Sequence, residues 1–283
     1  MHECVTLNNT VMANVAGHVL MDVLLPWYAL QESFGEVSAE TQMWQFWPNT
    51  TLAWSCAHQV RIGRISGKIC ERFYKIMTPL MSRHSLNRLD SILKPTCFKR
   101  LLVGMAMYSD DCLEGSHGRK QDSYTLCNHA RQGQFWRFRQ FTKSTLGVQD
   151  NPPSKQQVVI WKRERGRAIN DLEPLAAKLR STYQIPVIIV DFAKISLEEQ
   201  LRLIGNSTVH ITPPGGGSHI AIYLPRGATT IRLYSNEFRL EWHIMHYLGY
   251  IHAEHVRCPK GKCVQTEVVG LVGEALERFE TFG

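Results

Sequence analysis

From Gln157 onward, short apolar runs rich in Val and Ile alternate with amphipathic stretches of roughly ten residues, a rhythm that predicts strand followed by helix. The expected strands are QVVIWK, PVIIVD, TVHIT, TTIRLY and YIHAEHV. Between and after them the spacing predicts helices over residues 170–183, 196–204, 239–247 and 267–282. Strands that are apolar throughout suit a sheet buried on both faces, so this half reads as βαβ units around a parallel sheet. The first half is less regular. Residues 14–31 carry helical periodicity, with Val15, Val19, Val23 and Tyr28 available for packing. KICERFYKIMTPLM has helical spacing at Phe73, Ile76, Met77 and Leu80, and CFKRLLVGMAM contains an apolar run that ends at Gly104 and reads as a buried strand. Residues 109–134 read as a polar loop excursion. Residues 135–146 read as a basic aromatic helix with Phe135, Phe138, Phe141 and Thr142 facing inward. DNPPSKQ, residues 150–156, cannot continue a helix and is the expected linker. It divides a first domain, residues 1–149, from a second, residues 157–283.

Inside the regular half, NSTVHITPPGGGSHIAIYLPRGA runs from strand through a glycine turn into an expected helix at 219–224. Gly215, Gly216 and Gly217 lack a Cβ, which permits positive φ and close approach of a ligand to the backbone. Ser218 is the expected N-cap. The first helical turn would offer unpaired N–H groups and a positive dipole end, which suits a phosphate or diphosphate. In parallel sheets ligands bind beyond the carboxyl ends of the strands. That rule brings the glycine turn beside WKRERGR, whose Arg163, Arg165 and Arg167 can hold an anion through bidentate hydrogen bonds. It also brings in YSNE, where Asn236 and Glu237 are possible acceptors for sugar or ribose hydroxyls. In the first half Asn14, His18 and Asp22 fall at i, i+4 and i+8, about 40° apart in projection at each step on an α-helix. A carboxylate hydrogen-bonded to His18 would raise its basicity and make a general base; the same spacing also describes a helix with one wet face.

Composition narrows this picture. The 283 residues are 44% hydrophobic and 20% charged, the balance of a globular protein with room for two domains. The net charge of +7 suits an anionic ligand, but it is spread along the chain and accompanies no nucleic-acid-binding motif. Residues 11–30 are apolar, yet Asn14, His18, Asp22 and Pro26 interrupt them, so a buried helix is expected rather than a membrane span. The opening MHECVTLNNT has neither a basic region nor an apolar core of a secretory signal. Eight cysteines and sequons at Asn8, Asn49 and Asn206 are compatible with a lumenal compartment. Cys258 and Cys263 bound a short loop, CPKGKC, which reads as a small disulfide loop or as two free thiols in preference to a zinc site. No G-x-x-x-x-G-K-[ST], no G-x-G-x-x-G after a strand and no Asp-x-Asp occurs. Without such acidic ligands, arginine and backbone N–H groups would take the place of a divalent ion at a diphosphate.

NVAGHVLMD, CFKRLLVG, FWRFRQFTKSTLGV, WKRERGRAINDLE, SLEEQLRLIGNSTVHI and PPGGGSHIAIYLPRGA, in this order and spacing, resemble glycosyltransferase family 61. The resemblance implies an α/β GT-B fold, two Rossmann-like domains with a cleft between them, residues 1–149 on the acceptor side and residues 157–283 binding the nucleotide-sugar. It implies inverting, metal-independent transfer of GlcNAc or a pentose from a UDP-sugar to a hydroxyl of a glycan or glycoprotein, in the Golgi or ER lumen. No cofactor is implied beyond the UDP-sugar co-substrate. By motif match the donor falls to Arg163, Arg167, Asn170, Gly215, Gly216, Gly217, Ser218, His219 and Glu237, and catalysis to His18 and Asp22. Two departures stand out. Pro214 replaces the histidine of the family's His-Gly-Ala-Gly-Leu turn, with His219 five residues on, and the expected membrane anchor and stem are missing, as in a fragment or a divergent relative. A catalytically inactive sugar-nucleotide or glycan-binding protein of the same fold is the alternative.

Overall fold

The computed structural model describes residues 4–7, 16–45, 75–85, 87–88, 101–103, 108–109, 126–127, 132–151, 153–163, 168–234 and 248–282. The chain divides into two compact units, Met1–Asn128 with Gln140–Gly147, and His129–Arg139 with Val148–Gly283.

In the first unit, β1 (Cys4–Leu7), β2 (Gln42–Gln45), β3 (Asn87–Arg88) and β4 (Leu101–Val103) form a parallel sheet of order β3-β2-β1-β4. That is the order of the first four strands of a Rossmann sheet. β5 (Tyr108–Ser109) and β6 (Leu126–Cys127) pair in parallel within the stretch expected to be loop. The expected first helix is present but not uniform: α1 (Ala16–Val19) passes through a π-helical turn, Leu20–Leu24, into α2 (Leu25–Ser33). The amide of Leu25 reaches back five residues to the carbonyl of Leu20. Pro26 supplies a reason. It has no N–H to offer the carbonyl of Asp22, so regular α-helical bonding is interrupted there and the turn widens. The apolar positions of this segment serve packing, since Val19, Val23, Leu24, Leu25 and Trp27 are buried.

The helix α3 (Gln132–Thr145) begins three residues before its expected start, and Phe135, Phe138 and Thr142 are buried as its periodicity requires. Phe141 is half-buried and meets the Tyr28 ring, centroids 5.5 Å apart.

In the second unit, β7 (Val158–Trp161), α4 (Leu172–Tyr183), β8 (Val187–Val190), α5 (Leu197–Gly205), β9 (Val209–Thr212), β10 (Thr229–Tyr234), β11 (His252–Arg257) and α6 (Gln265–Phe282) follow the predicted alternation. The sheet is parallel, of order β11-β10-β9-β7-β8. The architecture is thus α/β with a parallel sheet in each unit. Val158, Ile160, Val209, Ile211, Ile231 and Leu233 form one face of the second sheet and pack with Leu175, Ala176 and Leu179 of α4 and Val268, Val272 and Ala275 of α6. α5 starts on a complete capping box: Ser196 Oγ accepts from the Glu199 amide while Glu199 returns a carboxylate to the Ser196 amide. Residues 239–247, expected to be helical, lie outside the described residues.

The opposite face of that sheet is unusually polar. His210, Thr212, Thr230 and Arg232 alternate with the apolar set and are buried too. His210 packs on Phe192, ring centroids 6.1 Å apart, and complete burial lowers its pKa to about 3.

Candidate functional site at the strand order reversal

The chain leaves β7 toward β8 on one side of the sheet and leaves β9 toward β10 on the other. β7 and β9 are neighbours, so the loops at their carboxyl ends diverge and open a crevice between them. Lys162 and Arg163 follow β7; Pro213, Pro214 and Gly215 follow β9. Both expected anion-binding features therefore meet at this reversal.

Their contacts are specific. Arg163 Nη1 donates to the Pro214 carbonyl at 2.9 Å, which places the guanidinium against the glycine turn. A Cβ on Gly215 would collide with that same nitrogen. Gly215 also has φ of 139°, a conformation that L side chains rarely adopt, so the backbone itself calls for glycine, while the collision alone could be relieved by moving the tip of Arg163. Gly216 and Gly217 keep negative φ, and at Gly217 the absence of a side chain leaves space. A Cβ on Gly217 would lie 2.6 and 2.8 Å from Cζ2 and Cζ3 of Trp161, the last residue of β7. Trp161 in turn stacks on Phe192, centroids 5.9 Å apart, and has the Arg163 guanidinium 6.0 Å from its ring centroid. Phe192, Trp161 and Arg163 thus support the glycine turn.

The element that follows the turn differs from expectation. It is a 3-10 helix, Gly216–Tyr223, capped by Gly215 without a side-chain bond. Ser218 therefore lies inside the helix and is not its N-cap. Its hydroxyl donates to the Gly215 carbonyl at 2.8 Å, alongside its own amide at 2.9 Å, and is buried. The glycines allow the helix to start earlier than the serine. Gly216 and Gly217 are half-exposed at its first positions, where N–H groups lack an intrahelical acceptor. His219 is 8% exposed, with Nδ1 3.4 Å from the Gly216 carbonyl.

Asn170 is held elsewhere along the same rim. Its amide donates to the Gly261 carbonyl at 2.9 Å, in the loop closed by a disulfide between Cys258 and Cys263. Gly261 has φ of +75°, and a Cβ there would stand 3.1 Å from the Ala168 carbonyl. The CPKGKC loop after β11 is thus a brace for the segment that returns from the arginine loop to α4. Arg165, Arg167, Asn236 and Glu237 lie outside the described residues. Of His18 and Asp22 the structure describes the backbone alone, in α1 and in the π turn.

Sequence reasoning found the turn and Arg163 but not Trp161, Phe192 or His210. An aromatic residue ending an otherwise aliphatic strand beside the arginine loop was the available signal.

The sequence profile described as Glycosyltransferase 61 matches residues 16–231. Protein O-linked-mannose beta-1,4-N-acetylglucosaminyltransferase 2 of Mus musculus and of Homo sapiens are each 24% identical to this chain over 168 residues, 57% of the chain and 28% of the relative. The chain thus aligns with only part of these longer relatives. Among solved structures, E. coli heptosyltransferase WaaC with ADP is 12% identical, with a TM-score of 0.41 over all of both chains. The same enzyme with ADP-2-deoxy-2-fluoro heptose is 12% identical, with a TM-score of 0.36 over 97% of this chain and 99% of the other. Among the described residues no helix is long and apolar enough to cross a membrane. With the family profile covering most of its length, from α1 into β10, the chain belongs to glycosyltransferase family 61.

Proposed function

We propose that this protein is an inverting glycosyltransferase that moves a sugar, GlcNAc or a pentose, from a UDP-sugar to a hydroxyl of a glycan or glycoprotein in the lumen of the Golgi or ER. The observation that carries the reading is the Arg163 guanidinium set against the glycine turn where the strand order reverses. A diphosphate seated there meets half-exposed amides of Gly216 and Gly217 at the positive end of the 3-10 helix. Arg163 and Arg167 add positive charge, and Asn170, Ser218, His219 and Glu237 complete the donor side.

In the reaction the acceptor oxygen attacks the anomeric carbon from the face opposite the diphosphate. The carbon–oxygen bond to UDP breaks, and the acceptor proton passes to His18 assisted by Asp22, or to Asp22 itself. Negative charge grows on the leaving diphosphate. Donors already fixed around it lower the barrier because they need no rearrangement as the charge develops. Trp161 and Phe192 beneath the turn and Arg163 beside it supply that fixity. No metal is required in this scheme, a reading that the lack of any Asp-x-Asp in the sequence supports.

The test is UDP binding and donor turnover in the presence of EDTA, with wild type and Arg163→Ala. Metal-free turnover that disappears in the variant, while the circular dichroism spectrum is unchanged, supports the proposal. Equal turnover in both overturns the role of Arg163. UDP binding with no hydrolysis or transfer favours the inactive binding protein, a reading that Pro214 in the place of the family histidine keeps in view.

A further inference from the structure

At the opposite end of the second sheet, before β10 and β11 begin, a cavity of about 450 Å³ opens between the start of α3 and the turns Arg226–Gly227 and Gly249–His252. Its volume lies in the range of small-ligand sites. Its wall is rigid. Tyr250 meets the Trp136 indole edge-on, centroids 4.9 Å apart, and anchors itself by donating its hydroxyl to the Ile222 carbonyl at 2.6 Å. The Gly227 amide donates to the Tyr250 carbonyl at 2.8 Å. Arg139 lies 4.5 Å from the Trp136 centroid, is buried, and is held by the Leu224 carbonyl and the Asp150 carboxylate.

Onto this wall a second arginine is laid. The Arg226 guanidinium stands over the Trp136 ring, 5.2 Å from its centroid, and the residue is exposed. Among the described residues no carboxylate or carbonyl accepts a hydrogen bond from it. Stacking on an indole orients a guanidinium and leaves its N–H edge open for a planar or tetrahedral anion. His252 contributes little at neutral pH, since burial first and Arg278 second push its imidazole below the ordinary value, against the pull of Glu254. Beyond the charge, the lining is half-exposed indole, Ile251, Tyr250 and glycine backbone, a surface fit for a ring larger than an inorganic ion.

We infer that this cavity is a second binding site, separate from the donor rim, for an acidic sugar residue: a pyranose bearing a carboxylate or sulfate, its anion on Arg226 and its ring against Trp136. Such a site would hold a charged glycan at a distance from the reaction and does not depend on the proposed chemistry.

The test uses a sulfated uronic acid–glucosamine disaccharide, neutral chitobiose and inorganic sulfate, each titrated by calorimetry into wild type, Arg226→Ala and Lys178→Ala. Lys178→Ala removes one exposed positive charge on α4, away from the cavity lining. The sulfated disaccharide is expected to bind with salt-sensitive affinity, to lose roughly tenfold or more in Arg226→Ala, and to be unaffected by Lys178→Ala. UDP affinity should be the same in all three proteins. Chitobiose or sulfate alone binding as well as the acidic disaccharide would overturn the inference. So would equal losses in both variants, no loss in Arg226→Ala, or no saccharide binding at all.

Discussion

Gly217→Ala is the substitution that most directly probes how the turn is supported. Gly217 has ordinary negative φ, so alanine imposes no backbone strain, and the whole effect comes from one methyl group meeting Trp161. That methyl would sit 2.6 Å from Cζ2 and 2.8 Å from Cζ3, where carbon atoms normally rest about 3.5 to 4.0 Å apart. Either the indole or the turn must move by about 1 Å. The indole has little freedom, since Phe192 stacks behind it with centroids 5.9 Å apart. Overpacking of this kind costs about 1 to 3 kcal/mol. We expect Gly217→Ala to lose that much stability in urea unfolding followed by circular dichroism, and to bind UDP more weakly by calorimetry. Trp161→Ala in the same chain frees the space, so the double variant should recover about 1 kcal/mol relative to the sum of the single changes. Additive losses, or a Gly217→Ala protein within about 0.5 kcal/mol of wild type with unchanged UDP affinity, would refute the reasoning.

Other consequences follow from the same geometry. Gly215→Ala combines positive φ with a collision at Arg163 and should be destabilised by about 1 to 3 kcal/mol even when Arg163→Ala removes the collision, because the φ strain remains; full rescue in urea unfolding would contradict this. Cys258→Ser with Cys263→Ser should lower stability and raise hydrogen exchange at the Asn170 amide, which donates to Gly261 in the closed loop; unchanged exchange would deny the brace. Arg139→Met paired with Asp150→Asn should be milder than Arg139→Met alone, which leaves a carboxylate without its buried partner; urea unfolding of the three proteins measures the difference. His210 is held neutral by burial, with a folded pKa of about 3, while the unfolded chain takes up its proton near pH 6.5. The unfolded state binds more protons as pH falls below that value, so His210 should make the protein about 2 kcal/mol less stable at pH 5 than at pH 7. His210→Leu should remove that part of the slope, seen in urea titrations at the two pH values.

The second unit was legible because its central strands β7, β9 and β10 are buried on both faces and its helices carry one apolar side, so the period changes sharply at each boundary. The helix expected over 196–204 is α5, and the structure adds what starts it, the Ser196–Glu199 capping box. The glycine turn was legible as a turn, but not in detail. Ser218 has the composition of an N-cap, yet Gly215 already provides the needed backbone, and the helix begins before the serine. In α1 and α2 the spacing indicated a helix correctly and missed the π turn, because the missing N–H of Pro26 acts through a carbonyl four residues earlier. The first unit's strands are short, two residues in β3 and three in β4, too few to show alternation. β5 and β6 pair across residues that read only as polar loop. The contact of Trp161 with Gly217 has no such signal for a different reason: it joins the end of β7 to the helix after β9, neighbours in space and far apart in sequence.

We propose that the amides of the glycine turn, with Arg163 beside them, receive a diphosphate without a metal ion. Glycine-selective ¹⁵N labelling, with UDP titrated in EDTA, reports on those amides directly. Saturable shifts at Gly215, Gly216 and Gly217 that vanish in Arg163→Ala are the expected result. UDP binding that leaves these three signals in place while shifting glycines elsewhere would contradict it.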